Sequence, residues 1–277
     1  MAKVSRAPRN FYTAQQAARK LGMKEGTFFY HVRAGKIKKV VPPGSKEGYY
    51  PKAFIDKMVE AKELFILEYA AEPSTFEKAI EEDIKSIYEL GVSLFGVTEA
   101  TPYEILLEWH KKNPQTYYVL KQEGIVTGYM GLLYLNKETT EYIMSETTYR
   151  TPVPPATEVL PFAPNQPIEG LFVGLGVRPG MGERRTHYHG RHLIAGCIHV
   201  LEDFAKRGMP VNKLYATSKT KYGIKLCRDL GFNETEFQGD PLIRFELDLE
   251  TSNSPWAEKY REVVKQYQKT QKQAINE

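Results

Sequence analysis

Residues 169–206 read "EGLFVGLGVRPGMGERRTHYHGRHLIAGCIHVLEDFAK", and this stretch constrains the fold more than any other in the chain. Its opening is a run of apolar, strand-forming residues interrupted by Gly170, Gly174 and Gly176. Glycines inside a strand mark a bulge, or a place where a ligand or a second backbone comes close. Its end repeats apolar residues at helical spacing and predicts a long helix over 190–207. Between them lies a Gly- and Arg-rich stretch. A helix start with unpaired amides, beside Arg184, Arg185 and Arg191, is a natural anion site. Two glycine groups compete for that start. Beginning the helix at Gly180 and Gly182 would carry it about 25 residues through Gly190, so the start at Gly190 is favoured and 180–186 reads as a loop insertion.

Around this stretch the patterns alternate. Strands are expected near 75–79, 116–122, 125–135, 168–177, 213–217 and 242–249, and helices near 82–95, 102–112, 190–207 and 219–230. The class is α+β, a mixed sheet flanked by helices. Residues 137–167 form a Pro-rich insertion too long for a simple connection. Ser254 and Pro255 open a last helix striped by Trp256, Tyr260, Val263 and Tyr267.

The first 62 residues differ in kind. They hold fourteen Lys and Arg against four Asp and Glu, a balance of +10, while the remainder carries 24 against 30, a balance of −6. Such a split points to a polyanion partner for the first part alone. Thr13 can cap a helix through "AQQAARKLG", and a second helix fits "KEGTFFYHVRAG" before Gly35. Two short strands near 37–41 and 48–50 then flank a Pro-Gly turn, followed by an amphipathic helix on which Phe54, Met58, Phe65 and Tyr69 recur. The expected domains are 1–70, 71–252 and a C-terminal helix over 253–277.

No apolar run is long enough to span a bilayer, and "MAKVSRAPRN" lacks a signal-peptide core, so a cytoplasmic protein without membrane contact is expected. The only cysteines, Cys197 and Cys227, have no metal spacing and are expected as reduced thiols. His187, His189 and His192 have no Cys, Asp or Glu among them, and no metal is expected there. His110 is expected to face solvent or a substrate cleft, and His199 to pack.

Two resemblances sharpen this reading. "FYTAQQAARKLGMKEGTFFYHVRAGKI" resembles the winged helix-turn-helix of the MerR and excisionase group, which implies binding of double-stranded DNA. The resemblance gives Lys24, Thr27, Phe29, Tyr30 and Arg33 to the base-reading helix, and Lys36, Lys38, Lys39 and Lys46 to a phosphate-contacting wing. Phe29 and Tyr30 stand where that group often carries arginines, so docking to another protein stays open. Residues 75–250, with "LYATSKTKYGIKLCRDLGF" as the most familiar segment, resemble the GNAT (GCN5-related N-acetyltransferase) superfamily.

That second resemblance implies acetyl-CoA as co-substrate and transfer of its acetyl group to a small-molecule or protein amine. It places the coenzyme loop at His187, His189, Gly190, Arg191 and His192, with Leu175 and Val177 on the strand beside it. Thr220 stands at the family's helix-preceding Asn, and Cys227 at its general-acid tyrosine. Tyr222 is a substitute acid from the same helix, and Glu169, the only acid on the glycine-rich strand, is the candidate base. The histidines in the loop leave two readings: an N-acetyltransferase fused to a DNA-binding module, or a non-catalytic regulator whose GNAT body senses a ligand or dimerises. Winged helices acting on paired half-sites make a homodimer the expected assembly.

Overall fold

The computed structural model describes residues 7–43, 47–69, 74–145, 152–237 and 240–276, apart from the side chains of 63–69, 272 and 274–276. The chain divides into two compact units, Met1–Pro73 and Ser74–Glu277.

The first unit contains β1 (Phe11–Tyr12), α1 (Ala14–Lys20), α2 (Glu25–Arg33), β2 (Tyr50–Pro51) and α3 (Lys52–Tyr69). Thr13 caps α1 by a reciprocal pair: its hydroxyl accepts from the Gln16 amide, and the Gln16 side chain accepts from its own amide. Gly22 and Gly35 end α1 and α2 at φ of 63° and 71°. Ala17, Ala18, Leu21, Phe28, Ile37, Tyr50, Ile55 and Val59 form the core. The expected pair of wing strands is reduced to a single antiparallel bridge, Val40 to Tyr49. Tyr50 and Pro51 instead pair with Phe11 and Tyr12, because burying Tyr50 against Phe28 closes the core. Arg6 and Lys46, and the side chains of Phe65 and Tyr69, lie outside the described residues.

The second unit follows the expected alternation closely. Its elements are β3 (Thr75–Lys78), α4 (Asp83–Phe95), α5 (Tyr103–Lys112), β4 (Tyr117–Gln122), β5 (Ile125–Tyr134), α6 (Lys137–Ser145), β6 (Ile168–Val177), α7 (Glu183–Lys206), β7 (Val211–Ser218), α8 (Lys221–Asp229), β8 (Asn233–Thr235), β9 (Ile243–Asp248) and α9 (Pro255–Asn276). The strands form one sheet in the order β3-β4-β5-β6-β7-β9-β8. All neighbours are antiparallel except β6 and β7. A βαβ crossover through α7 joins that parallel pair.

Each face of the sheet carries its own core, as strand alternation demands. On one face Met130, Leu132, Leu214, Ala216, Phe245 and Leu247 pack with Leu193, Leu201 and Phe204 of α7 and Ala257 and Tyr260 of α9. The last helix is thus part of this unit rather than a separate segment. On the other face Val119, Tyr129, Leu133 and Leu171 pack with Ile84, Ile87 and Leu90 of α4 and Leu106 and Trp109 of α5. Within the insertion, α6 and a short 3-10 turn at Ala156–Glu158 appear, and the Trp109 indole donates to the Pro154 carbonyl at 3.0 Å. Residues 146–151 of the insertion are outside the described set. Among the described residues no helix is long and apolar enough to cross a membrane.

Candidate functional site

The site begins where two parallel strands part. β6 and β7 pair from Ile168 and Val211 to Leu171 and Tyr215, with a one-residue shift after Ile168, although β6 continues to Val177 and β7 to Ser218. Beyond those pairs the edge of β6 that faces β7 has no strand partner among the described residues. On its other edge β6 stays bonded to β5, with Leu132 opposite Phe172 and Gly131 opposite Gly174, so that Val173 is an extra residue. This bulge is where the strand glycines of the sequence act. At Gly174 a Cβ would come within 2.7 Å of the Tyr129 ring, so the ring lies against bare backbone.

β6 then turns into α7 seven residues before the expected start. Gly180 and Gly182 adopt φ of 79° and 83°, which glycine reaches without strain, and Gly182 is the N-cap. The first intrahelical bond runs from the Thr186 amide to the Gly182 carbonyl at 3.0 Å, and no cap side chain bonds the first turn. The stretch 180–186 is therefore no loop insertion: it forms the turn and the first residues of α7. His187, His189, Gly190, Arg191 and His192 lie inside the helix, where their amides serve the helical ladder and cannot form a loop. Gly190 costs about 1 kcal/mol relative to alanine at such a position, and the long buried stripe that follows outweighs it.

Of the histidines, His192 Nδ1 sits 2.7 Å from the Ser74 hydroxyl, and its ring lies 4.2 Å from that of Tyr188. His189 is fully buried with both ring nitrogens unpartnered among the described residues, and burial, with His192 and Arg185, lowers its pKa from the usual value. His187 and Arg191 are both exposed. Among the described residues no group of three His, Cys, Asp or Glu could hold a metal ion. His110, expected to face solvent or a substrate cleft, is buried, whereas His199, expected to pack, is exposed beside Glu202.

The opening has a polar side. Strand register puts Glu169, Leu171, Lys213, Tyr215, Thr217, Arg244 and Glu246 on the α4–α5 face of the sheet. The Tyr215 hydroxyl donates to Glu169 Oε2 at 3.0 Å. Burial, and then the Glu169 carboxyl, push the Tyr215 pKa up, so the phenol stays a neutral donor and orients that carboxyl. Lys213 donates to Glu246 at 3.0 Å. At the end of β7, Lys219 pairs with Glu99 of the α4–α5 connection at 2.8 Å. Sequence reasoning singled out Glu169 but missed Tyr215, because only the parallel register brings the two together.

Leu175 and Val177 project from β6 to the α7 face, packed on its core. Thr220 caps α8, accepting from the Gly223 amide at 3.1 Å. Cys227 is buried in the core on the α7 face, where burial pushes its thiol up to about 11. Tyr222 stands 89% exposed in the first turn of α8, just past the end of β7.

In the first unit, Lys24 at the N-cap of α2 and Thr27, Phe29, Tyr30 and Arg33 within it are all exposed, as are Lys36, Lys38 and Lys39 after it. Arg33 Nε donates back to the Phe29 carbonyl at 3.3 Å.

No protein-family model matches the chain, and no curated protein matches it. Solved structures match about 63% of the chain. The loading GNATL domain of CurA from Lyngbya majuscula is 10% identical, with 64% of this chain and 98% of that one covered at a TM-score of 0.47. The GNAT-like decarboxylase GphF, solved in complex with isobutyryl-CoA, is 13% identical, with 63% and 98% covered at 0.45. An N-acetyltransferase from Staphylococcus aureus is 16% identical, with 64% and 99% covered at 0.40.

Proposed function

We propose that the second unit is an N-acyltransferase that moves the acetyl group of acetyl-CoA onto a primary amine. One observation carries this reading: β6 and β7 part after Leu171 and Tyr215, beside a bulge at Val173 and a two-glycine turn into an α7 start with no side-chain cap. The unpaired edge of β6 offers backbone donors and acceptors to the two amides of a pantetheine arm. The amides at the start of α7, the helix dipole and the nearby Arg184 and Arg185 suit a diphosphate.

Transfer needs few protein groups. The amine nitrogen bonds to the thioester carbon, the carbon–sulfur bond breaks, the ammonium proton leaves and the thiolate takes a proton. Glu169, oriented by Tyr215, receives the first proton. For the second, the Cys227 thiol is enclosed by core, and Tyr222 is the phenol open to solvent at the end of β7. Backbone amides at the bulge can polarise the carbonyl.

Calorimetric titration with acetyl-CoA, followed by an assay for free thiol with a panel of amines, tests the reading. Saturable binding with transfer is expected. No binding at millimolar coenzyme would overturn it, and tight binding without transfer would favour the non-catalytic sensor.

For the first unit we infer binding of duplex DNA, from the exposed α2 face and the +10 balance of residues 1–62. The acyltransferase would then act on DNA or under its control. A steep loss of duplex binding between low and physiological salt is expected, and absence of binding at low salt would defeat the idea.

A further inference from the structure

The polar face that carries Glu169 and Tyr215 continues to β9, where it holds an incompletely satisfied guanidinium. Arg244 is fully buried. Its Nη1 donates to Asp240 Oδ2 at 2.7 Å and to the Leu242 carbonyl at 3.1 Å, and its Nε to the Ile143 carbonyl of α6 at 3.3 Å. The Phe237 ring lies 4.9 Å from Cζ. Among the described residues Nη2 has no hydrogen-bond partner. A guanidinium has five N–H groups, and the two on Nη2 are thus left without an acceptor. Leaving donors of a charged group unpaired in an interior is among the most expensive arrangements a fold can keep. Asp240 holds one edge of the fork, and a second oxygen acceptor would complete the other.

The place of this edge in the sheet points to what supplies the oxygen. Arg244 is opposite Thr217, the first position on its face of β7 beyond the last pair with β6. β9 lies one strand spacing, about 4.8 Å, from β7, whose far side borders the opening. An amine held at Glu169 thus lies on the same face of the sheet as Arg244, two strand spacings away.

We propose that Arg244 determines acceptor specificity: the amine that this unit acetylates bears a carboxylate, and the Nη2 edge of Arg244 binds it. The proposal rests on the acyltransfer reading of the Glu169 site. Amino acids, ω-amino carboxylates and short peptides are the chemical class, and acceptors whose carboxyl is blocked are excluded from the site.

The test uses the full chain and matched acceptor pairs, each an amino carboxylate and its carboxamide, over spacers of increasing length. In the wild type kcat/KM is expected to favour the carboxylate by roughly 30- to 100-fold at the best spacer. Arg244→Lys retains a charge for Asp240 but loses the forked edge. It is expected to bring the pair within about threefold by slowing the carboxylate alone, with acetyl-CoA affinity unchanged. Equal rates for both members in the wild type, or a preference that survives Arg244→Lys, would overturn the proposal. The wild-type comparison needs no variant, so it stands even where Arg244→Lys fails to fold. If no amine is acetylated, the acyltransfer reading fails instead. Calorimetry with the same pairs then reads Arg244 directly: carboxylate-selective binding lost in Arg244→Lys supports the inference, and binding of neither member or of both alike overturns it.

Discussion

The same three strands, β6, β7 and β9, present two unlike faces. Towards α7 and α9 they offer Ile168, Leu214, Ala216, Phe245 and Leu247, all buried in one apolar cluster. Towards α4 and α5 they offer Glu169 bonded to Tyr215, Lys213 bonded to Glu246, and Arg244 bonded to Asp240. A strand in a stability-driven sheet would make both faces apolar once both are covered. Keeping one polar under cover requires a partner for every group, and that constraint separates the face that holds the fold from the face that does chemistry.

Changes on the two faces should have opposite signatures. The largest expected effect is on stability: Phe245→Ala, from a side chain with no exposure, should cost about 3–5 kcal/mol in urea unfolding. Next, Glu169→Gln should lower kcat roughly 100-fold with little change in the unfolding midpoint, because the amide still accepts from Tyr215 but cannot take a proton. A large stability loss with activity retained would reverse the two roles. Gly182→Ala, which forces φ of 83° on an alanine, should weaken acetyl-CoA binding about tenfold in calorimetry and leave Glu169 chemistry intact.

The smallest effect probes the one misfit on the apolar side, His189. Its pKa is lowered by burial first, then by His192 and Arg185, below the ordinary 6.5. The unfolded chain therefore takes up the proton first as pH falls. The stability that depends on neutral His189 is complete above about pH 6.5 and is lost progressively below it. His110, lowered in the same direction by its own burial, adds to the slope. His189→Leu should flatten the acid side of the stability profile in part, as followed by urea midpoints at several pH values. An unchanged slope would show that His189 finds a partner in solution.

Most of the second unit was legible because its strands and helices keep clear periods over 8–24 residues. β8 was not, since Asn233, Glu234 and Thr235 are exposed on the sheet edge and bury no pattern. The start of α7 was misplaced because a glycine in sequence reads as a stop. In the structure the sign of φ decides: positive at Gly180 and Gly182, and helical at Gly190. Glu169 could be found as the lone acid on its strand, but Tyr215 and Arg244 could not. Their meaning comes from register across strands: Tyr215 meets Glu169 of β6, and Arg244 lies opposite Thr217 of β7.

The parting of β6 and β7 also sets how the unit yields. Four residue pairs, from Ile168 and Val211 to Leu171 and Tyr215, join the β3–β6 half of the sheet to the β7–β9 half. Side-chain packing on the two faces also spans the seam, with a few side-chain bonds such as Tyr215 to Glu169 and Lys219 to Glu99. The seam is thus the line along which the sheet would tear under load. Amide exchange should reach the β7 residues beyond Tyr215 before it reaches the long β5–β6 ladder, whose hydrogen bonds run on to Gly128 and Val177.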